Sequence, residues 1–179
     1  MKREIRLSGS GGQGVILASV ILGKAASIYD EKFSIQSQSY GPEARGGATK
    51  SDIIISDLEI MFPKIQKADY LLSLTQDAAD KYTKMLKPGA SVVIDADFVK
   101  ISPSEDYNLI PLPLSSNTMK EFDELIALNV VALSAFNTIF KFVSEEALIK
   151  STSESVPGDF REYNIRALKI GKKIAQMSK

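Results

Sequence analysis

Six consecutive residues, Gly9-Ser10-Gly11-Gly12-Gln13-Gly14, constrain this chain more than any other segment. They follow a strand-like stretch from Glu4 to Ser8 in which Ile5 and Leu7 are apolar. They precede Val15 to Tyr29, where Val15, Ala18, Leu22 and Ala26 fall near helical spacing and Ile16, Val20 and Ile28 widen the apolar stripe. A strand that runs through glycines directly into a helix opens an α/β unit, and the rest of the chain keeps that alternation. Eight of the 11 glycines precede residue 50, so the permissive loops are concentrated in the first quarter.

The remaining pattern reads as strands at Phe33 to Gln38 and Ala48 to Ser56, then a buried parallel strand at Tyr70 to Leu74. Thr75 or Asp77 caps a helix through Leu86, which Lys87-Pro88-Gly89 is expected to stop. Ser91 to Asp95 is a further buried strand, and Asn108 to Pro113 a short edge strand, because two prolines do not fit a central ladder. The last third is helical: Met119 to Val143 with a break, Ser144 to Ser151 opened by a serine cap and two acids, and Phe160 to Met177. No repeat or heptad interrupts this. The expected fold is a mostly parallel, doubly wound, Rossmann-like sheet with flanking helices and a helical C-terminal third. With 179 residues it forms one domain, 1–179.

Composition removes whole classes of chemistry. There is no cysteine and no histidine, which excludes disulfides, thiolate-held iron–sulfur clusters, Ser-His-Asp triads and Cys/His zinc sites on this chain. With 22 basic and 22 acidic side chains the balance is zero, unlike a nucleic-acid or membrane-surface binder. The N-terminal residues contain no signal-peptide core, and the longest nearby apolar run, Val15 to Leu22, is far short of the ~20 residues that span a bilayer. A cytoplasmic protein is expected. No catalytic and no metal-ligating residue stands out.

Two loops carry the binding chemistry. Gly9-x-Gly11-x-x-Gly14 matches the dinucleotide fingerprint, with Gly12 and Gln13 filling the turn. Its glycines let backbone N–H groups approach an anion at a helix N-terminus. Strand two, however, ends Gln36-Ser37-Gln38-Ser39 without the acid that would hold a ribose, which argues against NAD, and no Gly-Lys-Ser/Thr follows for a Walker loop. A phosphate, a carboxylate, a partner chain, or merely a tight packing turn all fit. The second loop, Gln38 to Gly47, leaves the same carboxyl-end side of the sheet, where open α/β sheets bind ligands. There Tyr40 offers a stacking face, Arg45 a planar fork for phosphate or carboxylate, and Gly46-Gly47 room for close approach, unless Arg45 only pairs with Glu43 in solvent. The apolar run from Leu125 to Val143 suits either a core helix or an interface.

Gly9-Ser10-Gly11-Gly12-Gln13-Gly14-Val15 together with Ser39-Tyr40-Gly41-Pro42-Glu43-Ala44-Arg45-Gly46-Gly47 resembles the gamma subunits of the 2-oxoacid:ferredoxin oxidoreductases. The resemblance continues through Ala68-Asp69-Tyr70, Lys87-Pro88-Gly89, Leu128 to Leu133 and Ser144 to Leu148, and so covers nearly the whole chain. The second loop looks most like the 2-oxoglutarate branch, with the pyruvate and other 2-oxoacid branches as alternatives. Such enzymes convert a 2-oxoacid, CoA and oxidised ferredoxin into acyl-CoA, CO2 and reduced ferredoxin. The resemblance implies an oxidoreductase subunit that is not catalytic alone. Thiamine diphosphate, Mg2+ and iron–sulfur clusters would sit on alpha and beta partner subunits, a delta subunit being an open alternative, with ferredoxin met through the complex. This chain lacks cluster cysteines and a Gly-Asp-Gly thiamine motif, and what remains for it is to cover the active site and help receive CoA. Gly9, Gly11, Gly12, Gln13, Gly14, Tyr40, Glu43, Arg45, Gly46 and Gly47 are the candidates, the alternative being that both loops contact only partner chains.

Overall fold

A computed structural model describes residues 1–38 and 47–177. Strand β1 (Lys2–Ser10) is buried on both sides: Ile5 and Leu7 on one, Arg6 and Ser8 on the other. A strand buried on both faces must be central, and β1 is. The six-stranded sheet has the order β2-β3-β1-β4-β5-β6, with β2 Phe33–Gln38, β3 Ala48–Ser56, β4 Ala68–Ser73, β5 Leu86–Asp95 and β6 Tyr107–Leu112. The β1–β4, β4–β5 and β5–β6 pairs are parallel, while β3 runs antiparallel to both β1 and β2. β2 therefore points the same way as β1 but is separated from it by a returning strand. The mostly parallel α/β reading holds, with β3 as the reversed member.

Helices cover the two faces unequally. Helices α1 (Val15–Lys24), α4 (Leu128–Phe140), α5 (Glu145–Ser155) and α6 (Arg161–Met177) build the larger core, with Ile5, Leu7, Ile53, Leu72 and Val93 beneath them. The opposite face carries α2 (Gln76–Tyr82), whose Ala78, Ala79 and Tyr82 pack with Ile54, Leu71, Val92 and Ile94. On that face Arg6 is fully buried and forks onto Asp52, directly opposite it in the ladder, at 2.7 and 2.9 Å. The guanidinium carbon lies 5.4 Å from the centre of the Tyr82 ring, and the Tyr82 hydroxyl donates to the Ala48 carbonyl at 3.0 Å. Between α4 and α6 the packing is tightest at Gly171, where an added Cβ would stand 2.1 Å from the Val131 carbonyl oxygen.

Three local departures from the sequence reading have physical causes. Lys87-Pro88-Gly89 does not end a helix in a loop. The helical segment ends at Met85, and Pro88 and Gly89 lie inside β5, where the register jumps between Ala68↔Leu86 and Tyr70↔Ser91. That bulge tolerates a proline without an N–H and a glycine at φ 76°. Secondly, α3 begins at Leu114, five residues before the expected start, because its cap comes from a distant strand. The Asp95 carboxylate accepts from the Leu114 and Ser115 N–H groups and the Ser115 hydroxyl, and Asp97 accepts from the Ser116 N–H. Burial pushes the Asp95 carboxyl up from its ordinary value against those hydrogen bonds. The expected break in the long helix falls at Asp123, in the left-handed region at φ 57°. Thirdly, the first helix closes in a π-turn, Ala25–Tyr29, where the Asp30 N–H reaches the Ala25 carbonyl. Ser144 caps α5 as expected, accepting from the Ala147 N–H at 3.1 Å. Among the described residues no helix is long and apolar enough to cross a membrane.

Candidate functional site

The glycine loop leaves the end of β1 and turns into α1 through two left-handed residues, Gly12 at φ 87° and Gly14 at φ 72°. Gln13 locks the turn from inside: its side-chain oxygen accepts from the Ser10 N–H at 2.8 Å, and its own N–H donates to the Ser10 carbonyl. A Cβ on Gly9 would lie 2.4 Å from that Gln13 oxygen, so the first glycine exists to let the glutamine fold back. Gly14 is the N-cap of α1 and has no side chain to offer, and no acid lies in the first turn. The N-terminal N–H groups of α1 and its partial positive charge are thus left without a local anion. Gly11 and Gly12 are exposed, while Gln13 and Gly14 are half-buried.

This is not the dinucleotide arrangement that the spacing suggests. There the third glycine packs helix against strand, and the acid that grips the ribose comes from the neighbouring strand. Here the third glycine is the cap itself, and β3 stands between β1 and β2. The end of β2 is a full strand removed from the glycine loop. Topology excludes the NAD geometry more firmly than the missing acid does.

The loop lies at the carboxyl ends of β1 and β4, the two strands from which the chain winds outward in opposite directions. That is the switch point at which open α/β sheets form a ligand crevice. The second loop is anchored at the same end, because Ala48, which follows half-buried Gly47, pairs with Ser10. Tyr40, Glu43, Arg45 and Gly46 fall outside the described residues. The structure therefore brings Gly9 to Gly14 together as one turn and places Gly47 beside their strand.

Residues outside the set of candidate site residues complete the surroundings. Asn129, in the first turn of α4, is buried and donates from its side chain to the Gly14 carbonyl at 3.2 Å. An Asn inside an apolar helix was the available signal. Thr75, at the end of β4, and Thr49, opposite Gly9 in the ladder, each have a buried hydroxyl with no hydrogen-bond partner among the described residues. Thr75 takes the N-cap position of α2 that its sequence suggests, but its hydroxyl makes no capping bond; nothing in the sequence marks Thr49. Among the described residues, no three of Asp and Glu gather closely enough to hold a metal. The site offers backbone N–H groups, an amide and hydroxyls, which is equipment for recognising an anion rather than for moving protons.

Gly14→Ala tests how tightly this turn is specified. The left-handed conformation costs about 1–2 kcal/mol for a residue with a Cβ, and that Cβ would stand 2.4 Å from the Asn129 amide nitrogen. The expected loss is about 2–3 kcal/mol of unfolding free energy in urea. Adding Asn129→Ala should return the steric part and leave the backbone part.

Comparison with known proteins gives the architecture a family. The model of the pyruvate ferredoxin/flavodoxin oxidoreductase family matches residues 4–174. The chain belongs to that family. Among its relatives, the 2-oxoglutarate synthase subunit KorC of Methanocaldococcus jannaschii is 45% identical over 178 residues, which is 98% of this chain and 95% of the relative. The crystal structure of the keto/oxoacid ferredoxin oxidoreductase gamma subunit from Geobacter sulfurreducens superposes with a TM-score of 0.90 at 42% identity, covering 99% of this chain and 98% of that one. The 2-oxoglutarate:ferredoxin oxidoreductase of Magnetococcus marinus, solved with 2-oxoglutarate, coenzyme A and succinyl-CoA bound, shares the fold at a TM-score of 0.81 and 22% identity. It covers 98% of this chain but only 31% of the Magnetococcus chain, so there the same fold is one part of a longer polypeptide. The fold thus occurs both as a separate chain and as a segment of a longer one.

Proposed function

We propose that this chain is the gamma subunit of a 2-oxoglutarate:ferredoxin oxidoreductase, a cytoplasmic complex that turns 2-oxoglutarate, CoA and oxidised ferredoxin into succinyl-CoA, CO2 and reduced ferredoxin. The observation that carries this reading is the 45% identity to a 2-oxoglutarate synthase subunit along essentially the full length of both chains. Residues 1–179 act as one domain of that complex. The chain has no cysteine to ligate a cluster and no Gly-Asp-Gly thiamine motif, so iron–sulfur clusters, thiamine diphosphate and its Mg2+ belong to alpha and beta partners. Its own contribution is recognition. The uncapped N-terminus of α1, the exposed Gly11-Gly12 turn and the hydroxyls of Thr49 and Thr75, without a hydrogen-bond partner among the described residues, suit the pyrophosphate or 3′-phosphate of CoA, with Arg45 supplying the cationic fork.

Reconstitution tests the assignment. The chain assembled with its partner subunits should support CoA-dependent ferredoxin reduction with 2-oxoglutarate in preference to pyruvate, and the chain alone should be colourless and inactive. Preference for pyruvate would move it to another branch.

Arg45→Ala tests the CoA role. Losing a charge-assisted contact worth about 1.5–3 kcal/mol should lower kcat/KM for CoA roughly ten- to a hundredfold, with the oxoacid KM nearly unchanged. Arg45→Lys should recover part of the loss, keeping the charge but not the fork. An arginine that docks a partner chain would instead reduce the yield of complex by size exclusion and leave CoA kinetics normal.

A further inference from the structure

A cleft of about 730 Å³ opens at the other end of α4 from the glycine loop, between α4, α5 and α6. From Asn129 to Thr138 the axial distance is about 14 Å at 1.5 Å per residue. The floor is apolar: Val143, Leu148 and Leu168 are almost completely buried, and Ile149 and Ile165 rise to the rim. The polar groups of the wall are already engaged. Asn137 makes both of its hydrogen bonds to the backbone of Val143, the Ser134 hydroxyl bonds the Leu168 carbonyl, and the Thr138 hydroxyl bonds the Ser134 carbonyl. An occupant therefore finds hydrophobic surface below, with the exposed amide of Gln176 the one further polar group of the described lining besides the charged residues.

Charge supplies the remaining specification. The rim carries Lys32, Lys141, Lys169 and Lys172 against two acids, Asp30 and Glu145. Glu145 pairs with Lys172 at 2.7 Å, and Asp30 accepts from the N–H and hydroxyl of Ser144 at 2.7 and 2.6 Å while keeping its charge. Lys32 donates to the Phe142 carbonyl and lies within electrostatic reach of Asp57, whereas Lys141 and Lys169 have no acidic partner among the described residues. The cleft thus presents an apolar floor under a rim whose four lysines outnumber its two acids, with Lys141 and Lys169 the cations that have no acidic partner among the described residues.

We propose that this cleft docks a segment of a partner subunit of the oxidoreductase that carries one apolar anchor side chain flanked by carboxylates. The inference rests on the subunit reading above. A unit that in the Magnetococcus enzyme is held within a longer chain must, when separate, be held by surface contacts. An apolar anchor in a pocket surrounded by complementary charge is the way such contacts concentrate affinity.

The test uses the assembled complex. In the double variant Lys141→Glu/Lys169→Glu, binding of this chain to the remaining subunits at low salt should weaken by tenfold or more. Lys141→Arg/Lys169→Arg should bind as wild type, and the wild-type affinity itself should fall as salt rises. Both lysines are exposed, so the melting temperature of the isolated chain serves as the folding control. Since the chain has no cysteine, Ile149→Cys reports occupancy directly: maleimide should label it in the isolated chain and fail to label it in the complex. Wild-type affinity in the charge-reversed variant, or full labelling within the complex, would overturn the proposal while leaving the subunit reading intact. A wild-type chain that does not assemble at all would overturn that reading, and this one with it. Cleft binding of a medium-chain carboxylate such as decanoate, with assembly indifferent to the lysines, would overturn it in favour of a small amphiphile.

Discussion

Asp52→Ala should destabilise the chain by about 3–5 kcal/mol, because it leaves the Arg6 guanidinium buried without its counter-charge. The magnitude follows from the absence of any escape. Arg6 is fully buried on the central strand, one of its terminal nitrogens already has no hydrogen-bond partner among the described residues, and the Ile65 carbonyl is 3.4 Å from the other. The Tyr82 ring, 5.4 Å away, already faces the guanidinium in the wild type and so does not replace the lost counter-charge. Urea denaturation at neutral pH measures the effect. Replacing both partners, as Arg6→Met with Asp52→Leu, should restore most of the lost stability, since a buried ion pair and a well-packed apolar pair of similar volume differ little. A double variant as unstable as Asp52→Ala alone would trace the loss to the other partner of Asp52, Lys50, whose ammonium lies 2.6 Å from the same carboxylate.

Gly171→Ala sets two effects of opposite sign against each other. In an open helix the change gains roughly 1 kcal/mol of helix propensity. At this position the new methyl would lie 2.1 Å from the Val131 carbonyl and 2.9 Å from the Ala135 nitrogen, both backbone atoms of α4. Neither can swing aside, so α6 must lift away from α4 and loosen the Leu168 and Ile174 contacts with the core. Overpacking typically costs about 1–3 kcal/mol and more where backbone is the obstacle. The net expectation is a loss of about 2–3 kcal/mol, read as a lower denaturation midpoint. A rise in stability would mean that the helix pair separates freely.

The alternation of apolar runs made most of the sheet readable. β2 and β3 fall where their apolar and β-branched residues put them, and the two prolines confine β6 to an edge. What the sequence concealed was non-local. The reversal of β3 depends on which neighbour it pairs with, and Ile53-Ile54-Ile55 reads the same in either direction. The early start of α3 is set by Asp95 and Asp97, about 20 residues away in the chain, and no window over Leu114 contains them. At the candidate site, the glycines were visible because only they tolerate φ near +80°. Asn129 was visible merely as a polar interruption, since its meaning lies in its meeting with Gly14 across 115 positions.

The reversal of β3 has a consequence for how the two loops can change over evolutionary time. The stretch after Gln38 departs and returns on adjacent antiparallel strands, with Gln38 paired to Ser51 and Ala48 to Ser10. No crossover has to be spanned, so the sheet sets no minimum or maximum for its length, and each doubling adds only about 0.6 kcal/mol of closure entropy. The glycine turn has no such freedom: its two left-handed residues, the folded-back Gln13 and the Asn129 tether fit one length only. Descendants of this fold thus inherit one turn of fixed length and one connection whose length the sheet leaves open to insertion or deletion.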